Sequence, residues 1–418
     1  MQVATWSSIG TLRSLFLLNL AALMVAIATQ RSRDGRRRGR IGLQLKADHG
    51  AAIALGILVL ALNITLPLQG ADPYHLARVG QIERIGTLAY DPFIADPKVN
   101  VLGWTYELLL ADIDQVPLIG HGLLRLHGVF GIALYLVAVA AARTWFPGGR
   151  AWCRAAVLVV PVVFQQFVLV KNDLFGAVPA LVALAWVVAR GSRADAWELG
   201  WAAWLTGFAV AVKLTSVPLA LVFAVPLLVE RPDRLRVLAI TAAGGVVGAV
   251  CGGLAFTLVE NARWYGNPIA VHEAGGLYNR NATIADMASG VFRFTISLFD
   301  LGLVTRRVWP GRGGWGSTFG LPMIWALAVL ALRYRAEPNA RRALWIAAGY
   351  FLVFSAVYTD ADIAHRLALA PGVLLIVAAI SMSDADDRLS RRLRLVLAVV
   401  MVLSALQILR SAYLYLRV

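Results

Sequence analysis

The chain alternates roughly a dozen apolar runs with short polar gaps, and the gaps are of two kinds. Gaps rich in arginine alternate with gaps rich in Asp, Asn, His and Tyr. A helix needs about 20 apolar residues to cross the hydrocarbon of a bilayer, and runs such as 51–69, 237–258 and 395–409 meet or approach that length. The period-2 alternation of a transmembrane barrel is absent. The pattern therefore predicts an all-α, polytopic membrane protein of about twelve transmembrane helices. They fall near 10–30, 51–69, 119–142, 151–170, 174–190, 199–213, 214–229, 237–258, 319–334, 343–358, 366–382 and 395–413. Short loops rich in Lys and Arg mark the cytoplasmic side. The gaps 31–46, 143–154, 190–193, 231–236, 333–342 and 388–394 are assigned there, which leaves both termini and the gaps 70–118, 171–173, about 213, 259–318 and 358–365 outside.

Two outer gaps are long. In the first, Leu76, Val79, Ile82 and Ile85 recur at spacings of three within Tyr74 to Leu88, an amphipathic stripe expected to lie on the membrane surface. Tyr106 to Ile113 is a second short helical pattern, so short interfacial helices are expected in these loops. The second long gap carries an apolar segment at 291–304, short for a span, and the glycine-rich Gly311 to Gly316. Gly244, Gly248 and Gly252 form a small-xxx-small ladder that lets helices approach closely. The expected organisation is an extra N-terminal anchor with a basic cytoplasmic loop (1–50), a main transmembrane module (51–380), and a cytoplasmic loop with the last helix (381–418).

Composition agrees with this. Of 418 residues, 59% are hydrophobic and only 15% charged, with a mean hydropathy of +0.69. The net charge of +15 would suit nucleic acid, but most of the excess lies in the arginine gaps. It is assigned to topology and to contact with anionic membrane lipids, with no nucleic-acid partner. Two cysteines, Cys153 and Cys251, lie in or beside spans and imply no disulfide framework.

A few polar residues at the outer ends of spans have more than one reading. Asp72 follows the second span in Gly70-Ala71-Asp72-Pro73-Tyr74-His75. It suits a helix N-cap, with Pro73 in the first turn, and equally a base that takes a proton from an acceptor hydroxyl at headgroup level. Asn172-Asp173 suits a tight turn or a second acidic group on the same surface, with Lys171 as one possible partner. Lys213 interrupts an apolar stretch; it marks a helix break at the surface or an ionisable group inside the membrane that needs a partner such as Asp173 or a lipid phosphate. His365-Arg366 opens the 366–382 span, and arginine there matches phosphate oxygens with a planar fork of donors. Asp91, Asp96, Glu107, His272, Glu273 and Arg280 are each read singly as solvated loop groups. No zinc spacing, P-loop, dinucleotide fingerprint or nucleophile elbow is present.

Taken together, these stretches resemble the polyprenyl-phosphate-sugar-dependent glycosyltransferases of the GT-C fold, on the bacterial protein-mannosyltransferase and aminoarabinose-transferase side. Asp72-Pro73-Tyr74-His75-Leu76-Ala77-Arg78, with Gly103-Trp104-Thr105-Tyr106-Glu107-Leu108-Leu109 downstream, is similar to that family's "D-x-x-YHL-P" and "P-x-GYELL" segments. Lys171-Asn172-Asp173-Leu174 resembles its "YND" turn, and Gly207 to Thr215 its "GLAIGTKYT". Tyr265-Gly266-Asn267-Pro268, Gly316 to Gly320, and His365-Arg366-Leu367-Ala368-Leu369-Ala370-Pro371 resemble "YGNP", "GFGP" and "RYLLPALP". The ordered set spans about residues 50–380. Pro73 directly after the aspartate, and Leu rather than Tyr after His365-Arg366, depart from the pattern.

The resemblance implies an extracytoplasmic membrane glycosyltransferase. Asp72 would be the base and Asp173 its acidic companion. Lys213 and Arg366 would contact the donor phosphate, and Tyr74, His75 and Glu107 would shape the pocket, with Asn172 and His365 beside it. The implied partners are a polyprenyl-phosphate-linked sugar donor and an envelope glycan, lipid or protein acceptor. No cofactor is required; a divalent metal is compatible but not favoured. A transporter or lipid flippase is the rival reading, distinguished by polar groups near the midplane. A non-catalytic protein of the same fold is another.

Overall fold

The computed structural model describes residues 50, 53–54, 56–58, 73–85, 90, 104–114, 128–145, 151–168, 171–223, 225–270, 283–299, 318–334, 337–357, 365–383 and 387–416. Among them helices are the only regular secondary structure. Asp72, the runs expected at 10–30 and at most of 51–69, and the Gly311 to Gly316 stretch lie outside the described residues, as do the side chains of Tyr74 and Arg366.

Among the described residues, four helices are long and apolar enough to cross a membrane: Asp173–Arg190 (α5), Arg234–Cys251 (α8), Pro338–Val357 (α12) and the Arg388–Arg410 part of Arg388–Leu416 (α14). Around them stand Pro73–Ile85 (α1), Thr105–Asp114 (α2), Val129–Trp145 (α3), Pro161–Val168 (α4), Ala196–Val212 (α6), Val217–Phe223 (α7), Leu254–Tyr265 (α9), Ile284–Ser297 (α10), Leu321–Arg333 (α11) and Leu369–Ser383 (α13). This is an all-α membrane protein, as its sequence pattern predicts.

The innermost element is α13. Every residue from Leu369 to Ser383 is buried, because α3, α5, α11, α12 and α14 all pack on it. A helix apolar on every side has no face suited to water, and a bundle centre is where it fits. Gly372 makes room for the Phe319 ring: a Cβ there would stand 2.1 Å from Phe319 Cζ.

The glycine ladder does what its spacing predicts. A Cβ on Gly248 would stand 2.0 Å from the Trp204 carbonyl oxygen, and one on Gly244 2.5 Å from that of Gly200. From the other side, a Cβ on Gly207 would meet the Gly245 oxygen at 1.9 Å. The backbones of α6 and α8 are thus in contact, with side chains excluded from the seam.

Two expected spans are broken, each for a local reason. The 237–258 run is two helices, α8 and α9, separated at Gly253, whose φ is 85°. The Trp104 ring lies against Gly253, and a Cβ there would be 2.2 Å from Trp104 Cζ2, so only glycine suits both the left-handed turn and the contact. The 151–170 run is a helical turn, a 3₁₀ segment over Ala155–Val159, extended Val160 (ψ 115°), and α4. Pro161 forces that break, since the residue before a proline is pushed out of the helical region. The 214–229 run opens on a 3₁₀ turn at Leu214–Ser216.

On the stripe of α1, Val79 and Ile82 are buried in a small core with Trp104, Tyr106, Leu110 and Phe256. Together α1 and α2 form a platform.

Candidate functional site

The two ends of the bundle differ in chemistry. At one end lie the arginine gaps. Arg342 grips Glu230 through both carboxylate oxygens (2.7 and 2.9 Å) and donates to the Val188 carbonyl at 3.0 Å. Arg231 pairs with Asp233 at 2.8 Å and with the Ala194 carbonyl, and Arg333 pairs with Asp387. At the other end of α5 stand Asp173, Lys213 and the segment that opens α13.

Lys213 sits where α6 stops. Its backbone is extended (φ −152°, ψ 111°) and a 3₁₀ turn follows. The helix ends here with carbonyls that lack intrahelical partners. Asn172, in the turn before α5, fills one of these vacancies, donating its side-chain amide to the Val212 carbonyl at 3.1 Å. The break is therefore anchored to the N-terminus of α5, and the Lys213 ammonium forms an ion pair with Asp173. The Asp173 side chain is fully buried and that of Lys213 is 17% exposed. Removing either partner would leave a buried charge uncompensated.

These residues line a narrow cleft together with Ser216, Tyr350, Leu367, Leu369 and Pro371. Tyr350 is buried on α12 with its ring stacked on Phe354. Its hydroxyl stands 3.1 Å from the Thr215 carbonyl and 2.9 Å from the Leu367 carbonyl. The 3₁₀ turn at His365–Ala368, which carries Arg366, thus meets the Lys213 break across one phenol oxygen. His365 points away from the cleft, into the bundle. Its Nδ1 accepts from the Phe319 N–H (3.3 Å), so Nε2 carries the proton toward Ser297 Oγ at 2.6 Å, and that hydroxyl donates to the Phe294 carbonyl. Burial pushes the imidazole down to about 3, and it stays neutral.

The platform holds a second polar cluster. His75 and Glu107 are buried and bonded to each other. Arg78, also buried, lies over the Tyr90 ring at 5.7 Å and donates to Gln81 at 2.9 Å. Tyr90 reaches Asn261, whose amide donates to the Pro268 carbonyl at 3.1 Å. Tyr106 touches Phe175 with ring centroids 5.7 Å apart, which seats α2 on the first turn of α5, beside Asp173. Among the described residues, no three His, Cys, Asp or Glu side chains gather as a metal site would require.

Of the residues singled out from the sequence, Asp173 and Lys213 meet in the cleft and Asn172 braces it. His365 is bonded behind it, and His75 and Glu107 pair with each other in the platform. Tyr350 and Ser297 were not anticipated. Tyr350 lies in an ordinary apolar run, and Ser297 is a single hydroxyl near a helix end; neither position carries a signal in the sequence.

No family model matches the chain, and no curated protein does. Among solved structures it is similar to ArnT from Cupriavidus metallidurans, crystallised bound to undecaprenyl phosphate, at 20% sequence identity and a TM-score of 0.54. The likeness takes in 84% of this chain and 62% of ArnT, so the chain spans less than two thirds of that protein's length. The chain therefore shares its fold with ArnT.

Proposed function

We propose that the protein is a membrane glycosyltransferase that moves a sugar from a polyprenyl-phosphate donor to an envelope acceptor, at the extracytoplasmic face. The observation that carries this reading is the buried Asp173–Lys213 pair at a helix break, in a cleft closed on its far side by the turn bearing Arg366. The fold shared with ArnT, itself bound to undecaprenyl phosphate, supports a lipid phosphate as the anion for that cleft.

In the proposed reaction Asp72 takes the proton of an acceptor hydroxyl. The hydroxyl oxygen bonds to the anomeric carbon from the face opposite the phosphate, and the bond from that carbon to the phosphate oxygen breaks with inversion. Its electron pair leaves with the polyprenyl phosphate. Lys213 and Arg366 stabilise the charge that develops there, and Asp173 holds Lys213 in place until the phosphate arrives. No step requires a metal. An extra N-terminal anchor (1–50) and the twelve-span topology with outer termini belong to the same proposal. The donor sugar and the acceptor follow from mass spectrometry of envelope glycans and lipids from cells with and without the protein. The direct test of the chemistry compares Asp72→Asn with wild type for transfer from a polyprenyl-linked sugar. Transfer should fall by several orders of magnitude in a folded variant; undiminished transfer would remove Asp72 from the role of base.

A further inference from the structure

Lys213 is the backbone's weak point at the cleft, and it is held from both sides. The carbonyl before it, of Val212, accepts from Asn172, and the carbonyl two residues after it, of Thr215, faces the Tyr350 hydroxyl. The same hydroxyl faces the carbonyl of Leu367, the residue after Arg366. Two carbonyl oxygens so placed repel one another unless a donor stands between them. A phenol has one hydrogen to share, and here it serves both. The ring is packed by Phe351 and Phe354, which would accept phenylalanine equally well.

We infer that Tyr350 is a positioning residue that sets the distance between the Lys213 break and the turn carrying Arg366, and so the width of the anion site between them. The inference rests on the proposed lipid-phosphate reading of this cleft. A phosphate held between the Lys213 break and that turn is sensitive to their separation, because each contact is short and charge-assisted. The polyprenyl chain, gripped by apolar surface, is not. Loss of the hydroxyl should therefore weaken recognition of the phosphate and leave that of the chain unaltered.

The experiment uses the full protein in detergent or nanodiscs, with undecaprenyl phosphate as probe and undecaprenol, which lacks the phosphate, as its control. Tyr350→Phe should keep the thermal unfolding midpoint within a few degrees and weaken undecaprenyl phosphate binding about tenfold, the scale of one well-placed hydrogen bond. Undecaprenol binding should not change. Equal weakening of both probes, or of neither, overturns the positioning role, since a purely structural hydroxyl would not discriminate between them. Lys213→Ala and Arg366→Ala test the underlying reading separately. If both bind undecaprenyl phosphate like wild type, the phosphate site lies elsewhere and the proposed function fails with the inference. If they lose binding while Tyr350→Phe keeps it, only the inference falls.

Discussion

The helix α5 joins two environments about 27 Å apart, given its 18 residues and the 1.5 Å rise of an α-helix. At its last turn, Arg190 pairs with Glu198 at 2.9 Å with half of its side chain exposed, and Arg231 and Arg342 pair with carboxylates that are 34% and 29% exposed. Such pairs anchor an end and fix its orientation, and water can replace any of them at little cost. At its first turn, Asp173 is withdrawn from solvent, pairs with Lys213, and is surrounded by backbone that has left the helix. There the carbonyls need side-chain partners and the charges need each other. The same residue types produce a tolerant, solvated rim at one end and a dependent, preorganised site at the other. Burial decides which.

That contrast can be broken by substitution. Lys213→Ala should have the largest effect, about 3–5 kcal/mol of stability from leaving Asp173 buried without its cation, together with loss of polyprenyl-phosphate binding. The double variant Lys213→Ala, Asp173→Asn should regain most of the stability, read by thermal unfolding in detergent, and none of the binding. Restored binding in the double variant would make the pair a folding device alone. Asn172→Ala comes next, at about 1–2 kcal/mol, for the buried Val212 carbonyl left without its donor; the same assay checks it, with transfer expected to fall as the Lys213 break loosens. Arg342→Ala at the opposite end should cost about 1 kcal/mol, for its two bonds to a partly exposed Glu230, and leave transfer unchanged.

The smallest effect is one of pH. The Ser390 backbone N–H and then Arg333 hold the Asp387 carboxyl well below its usual range, at about 2. The folded state therefore favours the carboxylate. Its stabilising contribution is complete above the ordinary value of 3.8 and is lost as pH falls from there through about 2. Comparing the unfolding midpoints of wild type and Asp387→Asn should show a wild-type advantage at pH 5 that shrinks toward pH 2. A constant difference would mean that the capping geometry, not the charge, is what matters.

Much of this was legible before any coordinate. The helix over Thr105–Asp114 follows from the pattern at Tyr106 to Ile113, and the seam of α6 and α8 from the glycine spacing. The gaps at 190–193, 231–236, 333–342 and 388–394 do gather at one end of the bundle. The break at Gly253 was not legible. Gly252-Gly253 reads as one more step of the ladder until Trp104 is seen to occupy the space beside it. Hydropathy is blind to a break that preserves hydropathy. The pairing of His75 with Glu107, 32 residues apart, depends on α1 folding back on α2, and no spacing rule reaches across that loop.

By itself, the order of residues determined the solvent and the secondary structure: long apolar runs leave a helix in lipid as the only way to satisfy their backbone, and arginine placement divides the two ends. Only tertiary structure decided which polar groups would meet. Asp173 faces Lys213 because α5 and α6 are antiparallel and close, and Tyr350 spans two turns because α12 passes between them. Those distances depend on how the helices pack against one another, which local sequence does not encode.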